Sequence, residues 1–279
     1  MALASAKLYA SSARRGFTRG GLSRARLGRE ERLVFVVGSP RSGTTFLGDA
    51  LGGLPGFVDL GEVAPLKAAI PGLHGIPAEE QRKRIRTILD AVRRLAFVTG
   101  LRAVEQTPEV AFVLSGALRA FPQARAVHIV RDGRDVVCSL LERGWLRASR
   151  TGSDDARLPY GAQARFWVEP ERAEQFAGVS EATRAAWAWR RYVSAGRAVR
   201  ERTLEIRYEA LARERGQVAA TISDQLSVPA EAVAANLGAA HSASIGRFRL
   251  DLSAEQLGDV EREAGALLRE LGYPPVESS

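Results

Sequence analysis

A lone cation, Arg41, stands inside the run Gly38-Ser-Pro-Arg-Ser-Gly-Thr-Thr-Phe46. Gly38 and Gly43 bracket four residues, and Ser39, Ser42, Thr44 and Thr45 add hydroxyls, with Phe46 the first apolar residue beyond them. Free backbone N–H groups at a helix start point at an anion and favour phosphate. A nucleoside triphosphatase needs lysine directly after the second glycine, where this chain has Thr44. The loop therefore suits a phosphorylated ligand other than the β/γ pair of Mg-ATP.

A second cationic series reads Arg131-Asp-Gly-Arg-Asp135, then Ser139 and Arg143. If a helix starts near Gly133, Ser139 lies roughly 9 Å along its axis. An arginine at the preceding strand end reaches back that far, so Arg131 and Ser139 can pinch one phosphate between them. Arg143 falls one turn beyond Ser139 on the same face. Two phosphate sites on neighbouring strands suit a ligand with separate 5′ and 3′ phosphates.

These groups must be held by strands and helices. Leu33–Val37, Phe57–Leu60, Ala103–Gln106, Ala126–Val130 and Thr203–Arg207 are short apolar runs of the kind buried in a parallel sheet. Helical spacing follows from Thr44 to about Leu51, over 79–97 and through Arg143. Another helix is predicted from Glu62, broken at Pro71-Gly72, and another opens at Pro108. A further helix over Glu181–Glu201 turns Trp189, Val193 and Gly196 inward, with Trp187 at its rim or in the core. Ser253 and Gln256 form a capping box for the last helix, and Gly272 stops it. The pattern predicts one α/β domain, P-loop-like, with a mostly parallel sheet of about five strands, helices on both faces and the ligand at the strands' C-terminal edge. Residues 144–180 break this rhythm, mixing Gly and Pro with Trp145, Tyr160, Phe166 and Trp167. A long irregular segment rich in aromatics reads as a lid over a second substrate.

The Gly38–Thr45 loop followed by the Arg131-Asp-Gly-Arg, Ser139, Arg143 series resembles the sulfotransferases that use 3′-phosphoadenosine 5′-phosphosulfate (PAPS), nearest to the tyrosylprotein-type and related bacterial enzymes. The resemblance spans about residues 33–273. It implies sulfuryl transfer from PAPS to an acceptor hydroxyl, leaving 3′-phosphoadenosine 5′-phosphate (PAP). It further implies that Arg41 meets the charge on the leaving oxygen, that Ser39, Ser42, Gly43, Thr44, Thr45 and Phe46 cradle the 5′-phosphate, and that Arg131, Ser139 and Arg143 bind the 3′-phosphate. Gly61-Glu62 matches the catalytic glutamate, making Glu62 the general base, with Glu105 in reserve. Arg207-Tyr208-Glu209 makes Tyr208 an adenine contact. Ser242–Arg249 is similar to a late loop that closes over the nucleotide, with Ser244 on the sulfuryl group and Arg247 or Arg249 on the 3′-phosphate. The chain departs from the pattern at Gln106, where a lysine is usual. Two other readings stay open: a P-loop kinase-like phosphotransferase, and a nucleotide-binding protein without turnover.

The net charge of +8 would suggest nucleic acid until it is located. Residues 1–29 hold Lys7, Arg14, Arg15, Arg19, Arg24, Arg26 and Arg29 and no acid, so the remainder carries about +1. The basicity predicts a tail over 1–30, preceding a domain over 31–279, and no nucleic-acid groove. Leu3, Leu8, Phe17 and Leu22 make the tail a candidate for weak contact with anionic lipid. No signal-peptide core and no long apolar run occur, which predicts a cytoplasmic protein. The single Cys138 excludes an internal disulfide and reads as a buried small hydrophobe. His74, His128 and His241 lack metal-ligand spacing, so no metal is expected. The acceptor's identity does not follow from residue types.

Overall fold

Along the first strand the side chains alternate between two apolar layers. Leu33, Phe35 and Val37 enter one core, while Val34 and Val36 enter the other. All five are at most 3% exposed, and burial of each such side chain contributes about 1.5–3 kcal/mol. That two-sided burial is why the run lacks a polar face. In the computed structural model, which describes residues 2–24, 32–163, 165–238 and 242–275, this strand is β1 (Leu33–Gly38). It is followed by α2 (Thr44–Gly52), α1 being the preceding helix Ala2–Arg24. Next come β2 (Phe57–Gly61), α3 (Ala64–Leu73), α4 (Ala78–Leu95), β3 (Arg102–Glu105), a 3₁₀ turn over Pro108–Val113 and α5 (Leu114–Ala120). Then follow β4 (Arg125–Val130), α6 (Gly133–Arg143), α7 (Ala173–Gly178), α8 (Glu181–Arg197) and β5 (Thr203–Arg207). The chain closes with α9 (Tyr208–Arg213), α10 (Arg215–Leu226), α11 (Ala230–Leu237), α12 (Phe248–Asp251) and α13 (Ala254–Glu270).

The five strands pair in the order β2-β3-β1-β4-β5, all parallel. One apolar layer gathers α3, α4, α5, α6, α8 and α13; the other holds α2, α10 and α11. The order reverses at β1, between β3 and β4, and in such sheets ligands bind beyond the strand ends at that reversal. The loop after β1 and the Arg131 turn after β4 both leave the sheet there, because Val37 registers with His128 and Gly38 with Ile129.

The α/β architecture expected from the sequence is the one observed, with local differences. α3 starts at Ala64 and runs through Pro71 to Leu73 instead of breaking. Pro71 falls in the last turn, so its missing N–H removes a single bond, and His74 N donates to Ile70 O to close the end. Pro108 opens a 3₁₀ turn before α5. α8 ends at Arg197, and Trp187 joins Trp189 in the core at 0% exposure. Ser253 and Gln256 form their capping box. Cys138 is buried, which pushes its thiol up to about 12.

The segment read as a basic tail is, over residues 2–24, the helix α1, and it lies against β2, α3 and α4. Ser12 and Ala13 are buried, and Gly16 lies against Leu60 and Ala96. Phe17 meets Phe97 edge-on and Leu8 is half-buried. The side chains of Leu3, Arg19, Leu22 and Arg24, and residues Arg26, Arg29 and His241, lie outside the described residues.

Candidate active site

The loop after β1 bends through two left-handed residues, Arg41 (φ 73°) and Gly43 (φ 98°). A Cβ at residue 43 would stand 2.8 Å from the Tyr208 ring, so Gly43 is required by conformation and by space. The turn is closed by Ser42 N donating to Ser39 O (3.0 Å). Ser39 is buried, and the Ser42 hydroxyl is buried without a hydrogen-bond partner. Thr44, also buried, begins α2; Thr45 is exposed, and Phe46 packs on the apolar layer beneath.

The second cationic series meets this loop. Arg41 Nε donates to Ser139 Oγ (2.9 Å), and Arg131 Nη1 donates to Arg41 O (3.2 Å). The Arg131 guanidinium lies 4.7 Å above the Tyr208 ring and also donates to Ser244 O. Trp189 Nε1 donates to Arg131 O (3.0 Å), anchoring the strand end. Arg143, exposed on the last turn of α6, is close enough for its charge to act on Arg41. Burial, then Arg143 and Arg131, hold Arg41 below its ordinary value, with Glu142 opposing them. A patch of mutually repelling guanidiniums beside an unpartnered buried hydroxyl fits a multiply charged anion.

The late loop is placed by a residue that sequence reasoning passed over. Asp135, 0% exposed, accepts from Gly246 N (2.7 Å) and Phe248 N (3.1 Å), tying the loop to α6. Its only sequence signal was an acid in a helix's first turn. The Ser244 hydroxyl stands 3.4 Å from Tyr208 Oη and does not line the cavity that holds Glu62. Arg247 is engaged by Glu142 and Asp251. Arg249 lies over Phe248 in a separate groove with Arg134 and Arg207. Of the late-loop candidates, Ser244 alone therefore reaches the Arg131–Tyr208 cluster.

Glu62 and Arg41 face one cavity of about 320 Å³. Pro40, Arg41, Thr44 and Thr45 line it from the anion loop and the start of α2; Glu62, Lys67, Glu109, Asp154, Asp155 and Arg165 line it as well, with Trp145, Tyr160 and Trp167 among its apolar walls. Gly61 (φ 66°) delivers Glu62 there, and Arg15 of α1 reaches across to donate to Glu62 O (3.3 Å). Lys67, one turn into α3, donates to Glu62 Oε2 (2.7 Å). Burial raises Glu62 above its ordinary value, Lys67 pulls the other way, and Glu109 and Asp155 add to the rise. Burial works against the Lys67 charge, but Glu109, Glu62 and Asp154 outweigh it and hold the ammonium above its usual range.

Glu105 and Gln106 do not enter this cavity. Glu105, fully buried, accepts from Thr107 N (3.0 Å), Thr107 Oγ1 and Val63 N (3.4 Å), and burial pushes it up to about 8 despite those bonds. It secures the turns after β2 and β3. Gln106 Nε2 donates to Asp59 Oδ1 (3.2 Å), and its side chain packs against Gly48 of α2. Glutamine at 106 thus takes no cation from the cavity wall, where Lys67 stands instead.

Loss of Lys67 should expose that pairing in the pH profile. In Lys67→Met the burial of Glu62 goes uncompensated, so its carboxyl rises further. With Glu62 as a base that works deprotonated, the role proposed below, the acid limb of kcat/KM should move to higher pH by about 1–3 units, the usual effect of an adjacent opposite charge. A profile superimposable on the parent's contradicts the pairing.

A parallel sheet with an anion loop at its reversal point and a carboxylate in the adjoining cavity defines a group-transfer enzyme of the P-loop type. The sulfotransferase family model matches residues 34–232, and the chain belongs to that family. It is an enzyme that transfers a sulfuryl group from PAPS to an acceptor hydroxyl. No curated relative matches it. Among solved structures, a sulfotransferase from Alicyclobacillus acidocaldarius is similar at 18% identity, covering 88% of this chain and 97% of that one, with a TM-score of 0.51. The sulfotransferase domain of the olefin synthase of Synechococcus PCC 7002 is similar at 19% identity, covering 86% and 95%, with a TM-score of 0.50. These likenesses are likenesses of fold.

Proposed function

We propose that Glu62 is the general base and Arg41 the electrostatic stabiliser of this sulfuryl transfer. The observation that carries the assignment is that both line the same cavity, Arg41 from the anion loop and Glu62 from the turn after β2. PAPS, when bound, supplies the sulfuryl group and a phosphate leaving group. A free Glu62 carboxylate oxygen takes the proton of the acceptor hydroxyl as its oxygen approaches sulfur. Lys67 holds the other oxygen and favours the ionised form against the burial that raises it. Arg41 meets the charge growing on the oxygen that leaves. The free N–H groups at the start of α2, with Ser39, Ser42, Thr44 and Thr45, hold the 5′-phosphate, while Arg131, Ser139 and Arg143 hold the 3′-phosphate and Tyr208 the adenine side. Residues 144–180 act as the acceptor lid, since Trp145, Asp154, Asp155, Tyr160, Arg165 and Trp167 reach the cavity from that segment alone.

Nucleotide discrimination tests the 3′-phosphate assignment. PAP should bind far more tightly than AMP, ADP or ATP. Arg131→Ala should weaken PAP by about 1.5–3 kcal/mol, the range for hydrogen bonds to charged groups, while leaving the weak AMP binding nearly unchanged. Calorimetry giving equal affinities for PAP and AMP in the parent protein refutes it.

We also read the protein as cytoplasmic, with a weak anionic-lipid contact through residues 1–29. Their seven basic residues without an acid, and Phe17 at 45% exposure, support the contact. No described helix is long and apolar enough to cross a membrane. The protein should sediment with vesicles containing phosphatidylglycerol and not with neutral ones; equal recovery from both speaks against it.

A further inference from the structure

The cavity's charges select the acceptor. Among the described residues lining the cavity, Glu62, Glu109, Asp154 and Asp155 stand with Lys67 and Arg165, apart from Arg41 of the anion loop. Both cations are already engaged: Lys67 by Glu62 (2.7 Å) and Asp154 (3.3 Å), Arg165 by Glu109 (3.0 Å) and Asp154. Four acids against two bases leave this group with a net charge of −2, while Arg41 belongs to the sulfuryl group. Asp155 is exposed at the wall and has no ion pair among the described residues. Glu109, 2% exposed, lines the same space and keeps Oε2 without a hydrogen-bond partner although Oε1 is held by Arg165 and Tyr192. Trp145 and Tyr160 lie nearly parallel on the wall, with ring centroids 6.5 Å apart at 26°. Arg150 already lies over Tyr160 (4.6 Å) and Arg165 over Trp167 (4.9 Å), so the rings supply an apolar wall and the surplus carboxylates attract a cation and repel an anion. The volume is that of a small-molecule site.

We infer that the acceptor is a small hydroxyl compound carrying an ammonium group on an apolar or aromatic body, and neither an acidic peptide nor an anionic sugar. Its hydroxyl lies at Glu62 and its ammonium at Asp155. This rests on Glu62 and Arg41 marking the reacting end of the cavity. An acidic acceptor would bring its carboxylate against Asp155 and the bare Oε2 of Glu109, where the lining cations Lys67 and Arg165 are already engaged.

Matched acceptors differing in charge alone test the idea: tyramine, 4-ethylphenol and 3-(4-hydroxyphenyl)propionate, with 6-aminohexanol, hexanol and 6-hydroxyhexanoate as the aliphatic set. Turnover is followed with labelled PAPS, and binding to the PAP-saturated enzyme by calorimetry. In at least one set the cation should exceed the anion by at least about tenfold, since one unscreened contact charge is worth roughly fivefold even in water and two are in excess here. Asp155→Lys should cut that ratio at least fivefold while PAP affinity, read separately, reports an intact donor site. Equal or reversed preference overturns the proposal, as does a panel in which no cationic member binds or turns over. Failure of the Glu62 and Arg41 assignment shows differently, as normal turnover by Glu62→Gln.

Discussion

Glu62→Gln should lower turnover by about 10²–10⁴, the usual share of general acid–base catalysis, and leave PAP affinity within about twofold. Glutamine keeps the size of the side chain and can still bond to its neighbours, but it accepts no proton at neutral pH. In the proposed reading the nucleotide has its own anion sites on the loop after β1 and around Arg131, so ground-state binding should not pass through residue 62. Lys67 would lose the charge of its 2.7 Å partner, yet the amide oxygen can still accept from it and Asp154 at 3.3 Å still balances it, so the wall should hold its shape. The check is single-turnover kinetics beside PAP titration. If Glu62→Gln turned over normally and Glu105→Gln did not, the base would be Glu105, against its complete burial behind Thr107.

Arg41→Ala should damage both stages. Removing a donor aimed at developing charge costs about 10²–10³ in kcat. The same guanidinium is proposed to touch ground-state phosphate, so PAP should weaken as well, by about 1.5–3 kcal/mol. The balance between the two effects identifies the residue's role. Loss of binding with intact kcat would make Arg41 a phosphate ligand only. Arg41→Lys should restore part of the affinity and little of the rate, because an ammonium cannot keep the Ser139 bond and face the leaving oxygen from one planar group. Ser139→Ala frees that guanidinium but also removes a proposed 3′-phosphate ligand, so its kcat at saturating PAPS is the readout of positioning.

The anion loop was legible because its signals are local. Glycines at 38 and 43, hydroxyls between strand and helix, and an apolar run buried on both faces act over a dozen residues, where steric and hydrogen-bond rules operate without reference to the rest of the chain. The five strands were legible for the same reason, as was the Ser253 capping box, where one side chain answers a backbone group three residues on. Arg131 and Ser139 followed from helix geometry, though their meeting with Arg41 needed the parallel register of β1 and β4 to bring two strand ends together.

What the tertiary structure alone decided is who faces whom. Lys67, Glu109, Asp154 and Arg165 are ordinary surface charges when read along the chain; only packing α3, the Pro108 turn and the irregular segment around one space makes them a network that sets the state of Glu62. Gln106 looked like a missing cation until β3 was seen to turn its side chain toward Asp59 and Gly48. The basic leader looked like a tail until α1 was seen on β2, with Arg15 on the Glu62 carbonyl. Periodicity records which side chains leave water, because that free energy depends on area alone. The partner that each buried charge finds depends on distances between segments far apart in the chain, and these exist only once the chain has folded.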